Sequence, residues 1–162
     1  MLLKRLIVFT AIASSLAIFE RAIPLLPPWF KPGLANCVTL YLVARGEYRL
    51  AILVTILRGF VAAFAFGGIF SPGHIFSLAG GLAAVTLCIA LCHFAWRYLS
   101  LYGVSVASSI AHAFAQLSCA GLLFLSWDAV RGLAPIMLAA SVITGLLTAY
   151  LARRILIHEG ST

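Results

Sequence analysis

Apolar runs, each about the 20 residues that a helix needs to cross a bilayer core about 30 Å thick, follow one another along this chain with only short breaks. A soluble fold has no use for that pattern. Of 162 residues, 64% are apolar and 9% charged, against about 45–50% and 25% in an ordinary soluble domain. So few charges cannot cover a soluble surface, and so many apolar groups do not stay disordered. The spans must be helical, because an open sheet edge is not viable in lipid. The sequence therefore predicts an all-α integral membrane bundle, one transmembrane domain over residues 1–162.

Six spans are expected, at about 6–23, 34–44, 48–66, 74–94, 103–126 and 133–152. The linker from Pro24 to Gly33 carries Pro24, Pro27, Pro28 and Pro32, which remove donors and fix φ, so it cannot be a regular helix. The second span is short. Eleven residues reach about 16 Å, so it is either a half-helix whose first N–H groups point into the bilayer centre or the visible part of a helix that starts near Trp29. A rival reading takes Lys4-Arg5, the following apolar stretch and Ser15-Leu16-Ala17 as a cleavable signal peptide. Cleavage would leave five spans.

Six spans place Lys4, Arg5, Arg45, Arg49, Arg97, Arg153 and Arg154 on one side, and Arg21, Lys31 and Arg131 on the other. Basic residues favour the cytoplasm, so both termini are expected there, in a bacterial-type cytoplasmic membrane. Trp29, Trp127 and Trp96 fall at the interfaces, as an aromatic belt requires. The net charge of +7 is spread in clusters between apolar runs, which does not suit nucleic acid. The acids are Glu20, Glu47, Asp128 and Glu159. They cannot form a carboxylate dyad or a magnesium cluster, so no catalytic or metal-ligating residue is expected. Cys37, Cys88, Cys92 and Cys119 lie inside apolar runs and read as buried thiols.

Polar groups at depth are expensive and usually functional. Counting about 1.5 Å per residue places Arg58, His112 and Asn36 roughly 14–15 Å from the cytoplasmic side, on three helices. Gln116 and Glu20 sit about two turns further out. On the fifth span Ser105, Ser109, His112, Gln116 and Cys119 fall on one face at 100° per residue. That stripe either lines a cavity or bonds neighbouring helices. Arg58 either pairs with Glu20 or faces a cavity that receives a polar or anionic ligand head.

Glu20 with Ile23-Pro24, Lys31-Pro32-Gly33-Leu34-Ala35-Asn36, Arg58-Gly59, Phe76-Ser77-Leu78-Ala79-Gly80-Gly81 and Gly103-Val104-Ser105 followed by His112 and Gln116 resemble the Gx transporter family, also called heptaprenyl diphosphate synthase component I. The resemblance covers nearly the whole chain. It departs at Pro32, where the family has Leu, and at Ala113, where it has Asn. The family is similar to the substrate-binding S components of energy-coupling-factor transporters. That similarity implies docking of a transmembrane coupling subunit through Ala13 and Ala17, while the polar residues placed by depth and helical face, Arg58, Asn36, His112, Gln116, Ser105 and Glu20, are the expected ligand-binding set. Such a subunit would lack its own ATPase, and no Walker A sequence is present. The synthase label implies instead a non-catalytic membrane partner of a prenyl diphosphate, quinone-linked or flavin-dependent redox system, with a quinone or isoprenoid lipid as its bound ligand. The acid count argues against prenyl transfer by the chain itself. Membrane lipid and a small molecule are expected partners on either reading.

Overall fold

With no water to take up main-chain groups inside lipid, each apolar run closes its hydrogen bonds within itself. The computed structural model describes residues 2–22, 34–66, 68–69 and 71–160. Its elements are α1 (Leu2–Ala22), α2 (Leu34–Ala44), α3 (Tyr48–Phe66), α4 (Pro72–Phe94), α5 (Leu101–Leu123) and α6 (Trp127–Gly160), with no strand among the described residues. All but α2 are long and apolar enough to cross a membrane. The protein is thus an all-helical, multi-pass membrane protein. The proline-rich linker, Trp29, Lys31 and the question of a longer second helix lie outside the described residues.

Local signals explain most helix ends. Ser71 and Ser100 accept hydrogen bonds from the N–H groups of His74 and Gly103, each at 3.3 Å, and so cap α4 and α5. Pro72 occupies the first turn of α4, where its missing N–H is not needed. At the end of α2, Gly46 N–H reaches Val43 O and Glu47 N–H reaches Leu42 O, both at 2.9 Å. This paired closure needs the left-handed φ of +75° that Gly46 adopts.

The last helix departs most from expectation. It was expected over 133–152 and runs over Trp127–Gly160, 34 residues. It begins earlier because Ser126 Oγ accepts from Ala129 N–H at 3.3 Å and Asp128 sits in the first turn. It ends later because Glu159 accepts from the Tyr41 hydroxyl at 2.7 Å and from Arg45 Nη1 at 2.9 Å. Arg5 meets Glu47 at 2.6 Å at the same end of the bundle. The start of α1, the α2–α3 turn and the end of α6 therefore share one end, as six helices require. Exposed pairs of this kind are worth at most about 1 kcal/mol each; they set register more than they stabilise.

The interior is organised around α2. Every α2 residue except Leu34, Asn36 and Ala44 is buried, and the helix packs on α1, α3, α4 and α6. Leu42 and Val43 of α2, with Val54, Val85 and Val104 on other helices, are the most enclosed of the larger side chains. The most extensive interfaces join α4 to α5 and α5 to α6. Without a hydrophobic drive between helices in lipid, such contacts rely on small residues that admit close approach. Gly145 does this on α6: a Cβ there would lie 2.8 Å from Val106 Cα on α5.

Candidate functional site

Arg58 lies at the eleventh position of α3, within the bundle, and is 9% exposed. An arginine at that depth costs about 2.5–3.5 kcal/mol even on insertion scales, so it needs partners. Its Nη2 donates to Asn36 Oδ1 on α2 at 2.5 Å. Glu20, buried near the end of α1, acts on it as the principal opposing charge. The Glu20 carboxylate also accepts the Leu34 N–H, so it caps α2 at the point where that helix begins. Of the two expectations for Arg58, a Glu20 pair or a cavity-facing position, the structure has elements of both: Asn36 is its hydrogen-bond partner, Glu20 its counter-charge, and its side chain lines a cavity.

These groups open onto a cavity of about 160 Å³. Glu20, Asn36 and Arg58 line it from α1, α2 and α3, and His112 and Gln116 line it from α5. The α5 pair is held by Gly80 of α4: a Cβ at that position would lie 2.9 Å from the His112 ring and from Gln116 Cγ. Gly80→Ala should therefore push both side chains into the cavity. Because they are flexible, its stability loss should fall at the low end of the roughly 1–3 kcal/mol usual for overpacking, with a larger change in ligand binding. A melting curve beside a binding isotherm would show this; unchanged binding would separate Gly80 from the site.

Ser105 does not belong to this group. It is buried and donates to Gly145 O at 2.7 Å, which makes it an α5–α6 fastener beside a smaller void. Ser109, one turn further along, lines the main cavity instead. Of the pair expected to dock a coupling subunit, Ala13 is fully buried in the core, and Ala17 is half-buried and lines the cavity. The outward face of α1 carries Leu3, Ile7, Val8, Ile12 and Phe19.

His74 is the residue that sequence reasoning missed. It is 5% exposed, lines the cavity, and its Nδ1 has no hydrogen-bond partner among the described residues. Its ring is held 5.3 Å from that of Phe60. The signal was the run Ser71-Pro72-Gly73-His74, whose cap and first-turn proline fix the third helical residue. Ser77, Ser141 and Thr144 add hydroxyls to the lining. Among the described residues no group of three or more His, Cys, Asp or Glu side chains is placed to hold a metal ion.

Residues 9–155 match the family described as heptaprenyl diphosphate synthase component I. The chain belongs to that family. No curated protein and no solved structure shows significant similarity to it. The family name describes one component of a synthase and so points to a partner subunit. The match covers all the helices that build the cavity, from Glu20 on α1 to Thr144 on α6.

Proposed function

We propose that this member of the heptaprenyl diphosphate synthase component I family is a non-catalytic membrane subunit that holds the polar head of a prenyl amphiphile. The observation that carries the reading is the cavity itself. Its polar groups lie deep in the bundle, yet it extends to Ile136 on α6, which is 65% exposed on the lipid-facing surface. Ala17 of α1 and Met137 of α6 also line it, while α1 packs extensively on α2 and α3 and not on α6. A head group held by Arg58, Asn36, His112 and Gln116 would leave an apolar tail room to run into lipid between α1 and α6. Glu20 is the one acid in the lining, and magnesium-assisted prenyl transfer needs clusters of carboxylates. Chemistry on the prenyl chain would therefore belong to a partner protein.

Native mass spectrometry of the detergent-purified protein tests this. A prenyl lipid should be retained by the parent chain and lost from His112→Ala at an unchanged melting temperature. If His112 were only a helix fastener, the same change would lower stability by about 0.6–2 kcal/mol and leave retention intact.

One observation favours a second reading, that of a translocating S component. The first described turn of α2 lies at the cavity, its Leu34 N–H directed at Glu20, and helix ends directed at a buried polar site are also found in transporters. Ligand-dependent flux across vesicles containing the protein and a coupling ATPase would support it over the first.

A further inference from the structure

The charges in the cavity are already matched within the chain. Among the described lining residues, Arg58 is the one arginine or lysine and Glu20 the one acid. Arg58 has Asn36 as its acceptor, and Glu20 has the Leu34 N–H as its donor. A ligand is not needed to neutralise either of them. What stays unmet is the Nδ1 of His74, 5% exposed and without a partner among the described residues. A neutral imidazole offers one N–H donor and one acceptor nitrogen. Its natural complement is a carbonyl or hydroxyl oxygen, and the Gln116 amide in the same lining can donate to a second one.

We infer that the cavity selects an uncharged head group bearing carbonyl or hydroxyl oxygens, and that Glu20 enforces this choice by filling the anionic place beside Arg58. The inference rests on the reading of the cavity as a prenyl head-group site and specifies which heads it takes. A diphosphate would bring several negative charges next to a buried carboxylate, where like charges repel strongly. A quinone-type ring brings two carbonyl oxygens and no charge. His74 then serves as the group that recognises the oxygen, and Arg58 with Asn36 as the polar floor of the site.

The test uses the full chain in nanodiscs of uncharged lipid, titrated with two probes of equal tail length: a farnesylated benzoquinone and farnesyl diphosphate. The quinone should bind at least about tenfold more tightly, a difference of about 1.4 kcal/mol. Glu20→Gln keeps an acceptor for Leu34 N–H but removes the charge, and should raise diphosphate affinity about tenfold or more. His74→Phe, which retains a ring of similar shape, should weaken the quinone by a similar factor and leave the diphosphate unchanged. The parent chain and His74→Phe decide the question if Glu20→Gln does not fold. Tighter binding of the diphosphate by the parent would overturn the inference while keeping the prenyl head-group site. Binding of neither probe would overturn both.

Discussion

Arg58→Leu is expected to abolish head-group binding and to destabilise the bundle at once. Hydropathy alone says otherwise, because leucine removes an insertion cost of about 2.5–3.5 kcal/mol. The structure reverses the sign through Glu20, which is 6% exposed and would lose its principal counter-charge. Breaking one side of a buried charge pair typically costs about 3–5 kcal/mol. Asn36 would also lose the donor that now lies 2.5 Å from its Oδ1. The double variant Arg58→Leu/Glu20→Gln should recover most of the stability and none of the binding. Melting followed by size-exclusion chromatography, with the binding assay beside it, separates the two effects. A single variant as stable as the parent would mean that the Glu20 charge is met elsewhere, and one that still binds would remove Arg58 from the site.

Gly145→Ala should be the most damaging small substitution. Its Cβ would lie 2.8 Å from Val106 Cα, 3.1 Å from Ser109 Oγ and 3.2 Å from Ser105 O. Two of those atoms are backbone and cannot swing aside, unlike the side chains that face Gly80. The helices α5 and α6 must therefore separate, stretching the 2.7 Å bond from Ser105 Oγ to Gly145 O. Overpacking of about 1–3 kcal/mol adds to an interhelical hydrogen bond averaging about 0.6 kcal/mol. Ser109 and Thr144 line the cavity on those two helices, so binding should weaken as well. A Gly145→Ala protein with the parent melting temperature would show that this contact tolerates a methyl group.

The helices were legible because every apolar run but the second has a length that only a span explains, and depth followed from rise per residue. That is why Arg58, Asn36 and His112, on three separate helices, could be placed at one level. Direction was less legible. The stripe on the fifth span is broad enough to face two neighbours, and the single glycine at 145 draws α6 against its Ser105 end while Gly80 receives His112 and Gln116. No periodicity within α5 contains that information, since it belongs to the partner helices. Ala13 and Ala17 illustrate the same limit: small-residue spacing marks a close packing face but not whether the partner is another protein or α2 and α3 of the same chain. His74 stood at the edge of a span, where a polar residue reads as interfacial. Only the return of α4 over Phe60 brings it inside.

The central position of α2 carries a consequence for how the protein is made. The surfaces that bury α2 arrive in pieces, and one of them is α6, made after α1 to α5. The bond from the Tyr41 hydroxyl to Glu159 joins positions 118 apart in sequence, so it forms only once α6 has been synthesised. Until then α2 and the Arg58–Asn36 contact lack their closing wall, and a nascent chain halted before α6 exposes polar groups to lipid. Helix α6 is thus a latch on biogenesis, and termination before it should send the fragment to membrane proteolysis instead of leaving a partly working protein.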